Sequence, residues 1–379
     1  MARERAEPLW VCRCGCVVVG VSFHCLSVCR RVRVANLTVK LGPVKRPMAT
    51  SISGEAVAED DDDLADLCAA HPAPSPRSCG LAIARVPFDQ VGEHFFDHFV
   101  GKRQPVILTG CVEHWPALAR WNHAYLSDTL GATPVHVART PDGLADAVTN
   151  NHASGEPIFA KAFENPMPFD SFIAMIETPL EGRSVHYCSH QNDSLTTEFG
   201  ALWDDVETSL HWADAAFGRP PAATNFWMGE DAAHTTAHAD LFDNLYVVCT
   251  GEKSFTLLPP QDGHQLQRRA YRAGTYRVDA SESDRLVLEL DEPPTLVHWT
   301  ALDLETAETL QPLRATVRPG EILYLPALWW HAVSQHGSAE GSTTAVNYWY
   351  EGPVALGDEA DAAAEKAADR ILASLKGDS

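Results

Sequence analysis

The candidate metal ligands of this chain lie in two segments that both have the pattern of β-strands. His238 and Asp240 are two residues apart, so their side chains point to the same face of a strand. His331 follows the apolar run LYLPALWW further along the chain. Two imidazoles and one carboxylate on a rigid sheet can hold one face of an Fe(II) ion and leave its other positions open. These three residues are the predicted metal ligands.

A cation and two polar side chains accompany the predicted ligands. Lys253 follows a TGE turn, where its ammonium can bind the distal carboxylate of a dicarboxylate cosubstrate such as 2-oxoglutarate. Thr235, three residues before His238, can donate its hydroxyl to the same carboxylate. Asn347 is an inward polar residue of the alternating run AVNYWY, and a buried amide needs partners. The combination favours an iron- and 2-oxoglutarate-dependent oxygenase.

Other interpretations of the histidines stay open from the residues alone. An HxD pair, a lone histidine in a strand or a lysine after a turn can each be an ordinary structural residue. His234 is a rival ligand, because His234 and His238 would bind a metal together from a helix. The surrounding β-branched and turn-forming residues argue against that helix. His190, His298 and His336 lack such a setting and are interpreted as ordinary histidines.

Charge is unevenly distributed along the 379 residues, whose net charge is -22. Residues 1–47 hold nine Lys and Arg against two Glu, about +7, so the remainder carries about -29. An acidic body disfavours nonspecific binding to nucleic acid and is compatible with a basic protein substrate, although solubility alone explains it as well. The sequence contains no apolar run long enough to span a bilayer. Direct binding to nucleic acid or to a membrane is therefore not expected.

Cysteine usage separates the first thirty residues from the rest. Five of the ten cysteines lie there and five are scattered singly: Cys12, Cys14, Cys16, Cys25 and Cys29, then Cys68, Cys79, Cys111, Cys188 and Cys249. Scattered cysteines suit a reducing compartment. If residues 1–47 are not a targeting segment, we expect a cytoplasmic protein with a nuclear fraction. The leader motif CRCGC lacks the usual C-x₂-C spacing and is a weak zinc candidate.

Residues 1–80 are predicted to be a disordered leader and linker. Residues 1–47 are either a targeting segment or sequence upstream of a true start at Met48. The acidic run EDDDD and the Pro/Ser-rich HPAPSPRS predict a solvated linker before the globular part. A catalytic domain is expected over residues 81–356. An alanine-rich helix is expected over residues 357–379.

Helical patterns come first in the globular part, and strand patterns follow. HFFDHFV and the run from His123 to Leu130 predict helices, and TPVHVARTPDGLADAV predicts a strand, a turn and a short helix. A further amphipathic helix has its apolar positions at Phe169, Phe172, Ile173 and Ile176. After SVHYCSHQ the chain is predominantly strand, with turns at LPPQDG, RPGE and EGP. This order predicts an α+β, mainly β domain built around a β-sandwich or barrel.

Over about residues 85–352 the sequence resembles the JmjC (jumonji C) oxygenases of the cupin-like superfamily. The shared motifs are HWPAL, TPDGLADAV, NFWMGE, the HxD followed by GEK, RPGEILYLPALWWHAV and VNYWY. The resemblance implies a double-stranded β-helix, or jelly-roll, core with preceding helices and a C-terminal helix. It implies Fe(II) held by His238, Asp240 and His331, with O₂ and 2-oxoglutarate as cosubstrates. The implied 2-oxoglutarate contacts are Tyr187, Thr235, Asn244, Lys253 and Asn347.

Two of these motifs, TPDGLADAV and LYLPALWWH, resemble one subfamily in particular. For that subfamily the resemblance implies C3 hydroxylation of a lysine in developmentally regulated GTP-binding proteins, which are translation GTPases. It also implies a homodimer through C-terminal helices, here residues 357–375. Three alternatives stay open: an N-methyl-lysine histone demethylase, a histone-tail endopeptidase, and a non-catalytic jelly-roll binding module. The metal ligands do not separate the first of these from a hydroxylase.

Overall fold

The structure is a computed structural model, and its described residues cover most of the predicted globular part. They are Leu64, Cys68, Ala73 and residues 83–151, 154–178, 183–279 and 281–351. The predicted leader over residues 1–47, the alternative start at Met48, most of the linker and the helix over residues 357–379 lie outside them. Within the described ranges, no helix has the length and apolar character needed to cross a membrane.

The helices of the described residues are short. The α-helices are α1 (Ala117–Arg120), α2 (His123–Leu130), α3 (Phe169–Glu177), α4 (Ser194–Thr197) and α5 (His211–Phe217). Turns of 3₁₀-helix occupy Phe88–Gln90, Gly92–His94, Gly200–Asp205, Pro260–Leu266 and Glu308–Leu310, and a π-helical turn occupies Phe96–Val100.

Two helix predictions are confirmed, and one is confirmed only loosely. Helix α3 buries all four of its predicted apolar positions. Helix α2 begins after Asn122, whose side chain accepts a hydrogen bond from the Tyr125 amide and so caps the helix. The segment HFFDHFV does not form a regular α-helix but 3₁₀ and π-helical turns, which still bury Phe99 and Val100.

Nineteen strands form within the described ranges. The first nine are β1 (Arg85–Pro87), β2 (Val106–Thr109), β3 (Pro134–Thr140), β4 (Leu144–Ala145), β5 (Ala147–Asn150), β6 (Pro157–Lys161), β7 (Phe163–Pro168), β8 (Val185–Cys188) and β9 (Ala223–Glu230). The other ten are β10 (His234–His238), β11 (Asp243–Thr250), β12 (Glu252–Leu258), β13 (Arg269–Asp279), β14 (Glu282–Leu290), β15 (Leu296–Trp299), β16 (Leu313–Val317), β17 (Ile322–Leu325), β18 (Trp330–His336) and β19 (Ser342–Tyr350). The predicted mainly β class is confirmed.

Two sheets face each other across a shared core. The larger has the strand order β1-β2-β17-β11-β19-β9-β8-β3-β7, and the smaller has the order β16-β12-β18-β10-β4. Tyr246 of β11 and Phe255 of β12 lie in this core with ring centroids 5.2 Å apart. A third sheet, β14-β13-β6-β5 with β15 on β13, adds a further wall. This arrangement is the predicted jelly roll.

The short helix predicted at the end of TPVHVARTPDGLADAV is wrong. Strand β3 forms as expected, but the following residues form β4 and β5. Gly143 has φ +89°, and a Cβ there would lie 1.6 Å from the carbonyl oxygen of Ala232. Strand β4 then pairs in parallel with His234 and Thr235 of β10. This pairing with a distant strand overrides the local helix propensity of the leucine and alanine residues.

Candidate metal centre and cosubstrate pocket

The three predicted ligands come together at one end of the β10–β18 pair. His238 and His331 are partners across this antiparallel pair, and their ring centroids are 4.1 Å apart. Asp240 follows β10, with its Oδ1 3.9 Å from Nε2 of His238 and its Oδ2 3.7 Å from Nε2 of His331. The candidate ligand atoms all lie within 4.8 Å of one another.

Strand geometry also decides against the rival ligand. His234 and His238 lie at the two ends of β10, which is a strand and not a helix. Four residues along a strand span about 13 Å, since each residue rises about 3.3 Å. The helical i, i+4 metal site is therefore excluded.

Backbone carbonyls fix the orientation of both imidazoles. Nδ1 of His238 lies 2.8 Å from the carbonyl oxygen of Thr236, and Nδ1 of His331 lies 2.9 Å from that of Trp329. A carbonyl oxygen only accepts, so each Nδ1 carries the hydrogen and each Nε2 presents a lone pair. Burial, and next the proximity of His238, lowers the pKa of His331 to about 4. A neutral imidazole is the form that binds a metal.

Asp240 is held in place through its backbone. The carbonyl oxygen of Asp240 accepts a hydrogen bond of 2.7 Å from the amide of Leu328, which precedes β18. The segment of Asp240 is thus fastened to the strand of His331. The Asp240 side chain is still 25% exposed, whereas that of His331 is 5% exposed. The site opens on the carboxylate side, and two imidazoles with one carboxylate fit Fe(II) with open positions.

A tryptophan from the third sheet lies beside the metal centre and was not predicted. The ring of Trp299 is nearly parallel to that of His238, at 9°, with centroids 6.5 Å apart. Its indole nitrogen donates to Oγ1 of Thr236, 3.0 Å away. Trp299 lies on β15, whose place next to β10 depends on the packing of the third sheet, so the sequence carried no signal for it.

Lys253 is a buried cation whose side-chain contacts are neutral. It is 1% exposed, and its Nζ donates to the hydroxyl of Tyr187, 2.9 Å away, and to Oε1 of Gln335. Burial lowers the pKa of Lys253 to about 7. A carboxylate that enters this pocket would pair with the ammonium and favour its charged form. The site thus fits the distal carboxylate of 2-oxoglutarate.

Asn244 and Asn347 form a second polar group. Nδ2 of Asn347 donates to Oδ1 of Asn244 at 3.1 Å, and Oδ1 of Asn347 accepts from Nε1 of Trp227 at 2.8 Å. Trp227, which hydrogen-bonds Asn347, is in contact with Tyr187, which hydrogen-bonds Lys253; the two ring centroids are 5.9 Å apart. In the part of the chain that the structure describes, Thr235 makes no side-chain hydrogen bond to either group. It lies on β10, opposite Val333.

Gln335 is a pocket residue that the sequence reasoning missed. It is the direct partner of Lys253 in the β12–β18 pair. Its amide nitrogen donates to the carbonyl oxygen of Glu230. A signal was present, because His331, Val333 and Gln335 alternate along one strand and share a face.

Comparisons with known proteins agree with this geometry. The profile of a family described as "Cupin-like domain" matches residues 92–355. The lysine-specific demethylase JMJ32 of Arabidopsis thaliana is 36% identical over 290 residues, which cover 72% of this chain and 83% of the relative. The bifunctional peptidase and (3S)-lysyl hydroxylase JMJD7 of Homo sapiens is 37% identical over 266 residues, 68% of this chain and 80% of the relative. The JmjC domain-containing protein E of Dictyostelium discoideum is 34% identical over 284 residues, 68% and 80% of the two chains.

Proposed function

This chain belongs to the cupin-like JmjC family of 2-oxoglutarate oxygenases, and from that premise we propose that it hydroxylates C3 of a lysine side chain in a protein substrate. The observation that carries the oxygenase activity is the joint placement of two carbonyl-anchored imidazoles, one carboxylate and the buried cation Lys253. The similarity to the human relative, whose name includes (3S)-lysyl hydroxylase, favours lysine as the target.

The residues of this chain have separate tasks in that reaction. His238, Asp240 and His331 hold Fe(II), which with 2-oxoglutarate and O₂ supplies oxidation of an unreactive C–H bond and yields succinate and CO₂. Lys253 binds the distal carboxylate of 2-oxoglutarate, and Gln335 and Tyr187 position its ammonium. The surrounding core excludes water from this end of the pocket.

Thr235, Asn244 and Asn347 are further proposed contacts of the cosubstrate. Thr235 lies on the same strand as His238, and the buried pair of Asn244 and Asn347 lies on the facing sheet. Hydroxyl and amide groups on the two walls can hydrogen-bond carboxylate oxygens and so fix the orientation of the cosubstrate.

The expected substrate is a developmentally regulated GTP-binding protein. This choice rests on the subfamily resemblance, and a charge of about -29 outside residues 1–47 favours recruitment of a basic segment. The expected assembly is a homodimer through residues 357–375. The expected compartment is the cytoplasm, with a nuclear fraction, because scattered cysteines suit a reducing environment.

N-methyl-lysine demethylation is the second candidate function. Its support is the similarity to the Arabidopsis thaliana relative, which is named a lysine-specific demethylase. Hydroxylation of an N-methyl group gives a product that loses formaldehyde, so the same site would serve both reactions. The human relative's name also includes peptidase, which keeps proteolysis as a further outcome to be measured. The complete ligand set argues against a binding module without catalysis.

Intact-peptide mass spectrometry tests these alternatives together. The full chain is incubated with Fe(II), 2-oxoglutarate, ascorbate and lysine peptides from translation GTPases, with methylated histone peptides for contrast. We expect a gain of one oxygen on lysine that is lost in His238→Ala and kept in His336→Ala, whose histidine is exposed at the end of β18. A version that starts at Met48 shows whether residues 1–47 contribute.

Each other result has a distinct meaning. Loss of a methylene from methyl-lysine would make the protein a demethylase, and two peptide fragments would make it a peptidase. Consumption of 2-oxoglutarate without a modified peptide would keep the oxygenase and reject the substrate. Absence of 2-oxoglutarate turnover in the iron-loaded protein would overturn the proposed activity.

A further inference from the structure

A second group of two histidines and one carboxylate lies outside the iron centre. His136 is on β3, His190 follows β8, and Glu198 follows α4. Nδ1 of His136 and Nδ1 of His190 lie 3.1 and 3.0 Å from the same oxygen, Oε1 of Glu198. The candidate ligand atoms of the three residues all lie within 4.8 Å of one another. His190, interpreted from the sequence as an ordinary histidine, is thus one corner of a cluster.

The residue types and spacing of this cluster match a zinc site. Two histidines and one glutamate are a known ligand set for Zn²⁺, with water in the fourth position. Zinc bonds of about 2.0–2.2 Å in a tetrahedron place neighbouring ligand atoms about 3.3–3.6 Å apart. The two nitrogen–oxygen separations in the cluster are a few tenths of an ångström below that range. Small side-chain movements would therefore admit the ion.

Burial divides the cluster into a fixed part and an open part. The side chains of His190 and Glu198 are 10% and 9% exposed, whereas that of His136 is 35% exposed. Oε2 of Glu198 is also held, because it accepts a hydrogen bond of 2.7 Å from the backbone amide of His136. The less exposed pair is preorganised, and the half-buried His136 leaves a path for the ion and a coordinated water.

An unsatisfied amide oxygen provides an independent observation. Nδ2 of Asn192 donates to Oε1 of Glu198 at 3.1 Å, so its Oδ1 must point elsewhere. That Oδ1 is buried and has no hydrogen-bond partner among the described residues. Buried acceptors are normally satisfied, and each exception calls for a missing donor such as water or an ion-bound ligand. The side chain that hydrogen-bonds the proposed ligand Glu198 therefore lacks one donor, which a water molecule would supply.

We propose that His136, His190 and Glu198 bind a zinc ion that is separate from the iron centre. The ion joins β3 to the segment that runs from His190 to Glu198. The segment between His190 and Glu198 also reaches the cosubstrate pocket through Asn225. Oδ1 of Asn225 accepts from the Asp193 amide at 3.0 Å, and its Nδ2 donates to Oδ1 of Asn347 at 3.2 Å. Zinc therefore fixes a segment that supports a proposed 2-oxoglutarate contact.

The test measures zinc in a protein in which the iron centre and the leader cysteines have been disabled as competing sites. The background is the full chain with His238→Ala and Asp240→Ala at the iron centre. The leader cysteines are also changed to serine, at Cys12, Cys14, Cys16, Cys25 and Cys29. After equilibrium dialysis against Zn²⁺, inductively coupled plasma mass spectrometry gives the number of zinc ions per chain. We expect one zinc in the background, none after His190→Ala or Glu198→Gln, and one after the exposed control His98→Ala.

X-ray absorption at the zinc edge identifies the ligands of the ion in the background protein, in which His136, His190 and Glu198 are unchanged. This result does not depend on whether the cluster variants fold. We expect a first shell of nitrogen and oxygen at about 2.0–2.2 Å, including two imidazoles. Sulfur at about 2.3 Å would place the ion on a remaining cysteine and overturn the proposal. An absence of zinc in the background, or unchanged zinc in both cluster variants, would also overturn it. Because the iron ligands are already removed, none of these outcomes bears on the oxygenase activity.

Discussion

Two clusters of two histidines and one carboxylate lie among the described residues, and they are built differently. At the proposed iron centre, the Nδ1 atoms of His238 and His331 are held by backbone carbonyls, and their Nε2 atoms lie 3.7–3.9 Å from a carboxylate. At the second cluster, the Nδ1 atoms of His136 and His190 lie 3.0–3.1 Å from one oxygen of Glu198. The first cluster is held open by the backbone, whereas the second is closed by its own hydrogen bonds.

This difference bears on what each cluster can do. Imidazoles whose Nδ1 atoms are hydrogen-bonded to the backbone can accept a metal at Nε2 without rearrangement. They also leave room at the metal for further molecules, as a reaction with O₂ requires. Ligands that hydrogen-bond to one another must exchange those bonds for the ion. Such a site can hold a metal with water in the fourth position, but only after the two imidazoles and the glutamate give up their mutual hydrogen bonds.

The largest expected effect comes from breaking the iron centre alone. In Asp240→Ala, turnover of 2-oxoglutarate should fall to the level of the iron-free protein, because two imidazoles alone hold Fe(II) poorly. Succinate formation measures the loss, and the exposed variant Asp97→Ala is the matched control. Zinc binding at the second cluster should be unchanged. Full turnover in Asp240→Ala would remove this residue from the ligand set.

The next effect is expected from the cation that serves only the first cluster. Lys253→Met should raise the KM for 2-oxoglutarate about 10- to 150-fold, since a hydrogen bond to a charged group contributes about 1.5–3 kcal/mol. Gln335→Met, which removes a neutral partner of Lys253, should have a smaller effect on the same constant. Steady-state kinetics at saturating Fe(II) gives both values. A KM for Lys253→Met equal to that of the unchanged protein would contradict the proposed carboxylate contact.

The pH dependence of cosubstrate binding gives an intermediate effect. The pKa of Lys253 is about 7 before a carboxylate binds, so the side chain is charged below that pH and neutral above it. Binding of a carboxylate requires the ammonium, so the Kd of 2-oxoglutarate should rise up to about tenfold per pH unit above 7. Below pH 7 the contribution of Lys253 should be constant. Anaerobic calorimetry in buffers of different ionisation enthalpy should detect proton uptake, which Lys253→Met should abolish.

The smallest effect is expected at the second cluster without metal. Burial raises the pKa of Glu198, but hydrogen bonds from the His190 side chain and the His136 backbone outweigh it and hold that pKa at about 2. The hydrogen bond to Glu198 in turn raises the pKa of His190. The carboxylate contribution to stability is present above pH 4.5 and lost as pH falls to 2, and the His190 contribution is lost as pH rises through its raised pKa. Glu198→Gln should therefore lower the free energy of unfolding by about 1–3 kcal/mol near pH 5.5 and by less at pH 3. Urea unfolding in EDTA measures this, with the exposed Glu289→Gln as control.

If Glu198→Gln lowers the free energy of unfolding equally at pH 3 and pH 5.5, the charge of the Glu198 carboxylate contributes nothing to stability. With zinc added, the same variant should lose further stability relative to the unchanged protein, because the ion binds only the folded cluster. The two clusters would then differ in their measured effect on stability as well as in their geometry.

Local pattern was enough to predict which three residues meet at the candidate metal centre, and part of the fold. The two-residue spacing of His238 and Asp240 fixes their common face in any strand, and the apolar spacing of α3 fixes its buried side. The strand that carries His331 was also evident from its apolar run. Tyr187, expected only from resemblance, lies on Lys253 in the structure.

Which other distant residues meet could not be read from local pattern, because it depends on how the strands pair. Pairing with β10 turned a predicted helix into β4, and the third sheet brought Trp299 to His238. The order of β8 and β3 in the large sheet placed His190 beside His136. Periodicity determines the face on which a side chain lies, because that depends on neighbouring backbone angles. Contacts between strands depend on sheet order and register, which arise from burial summed over the whole core.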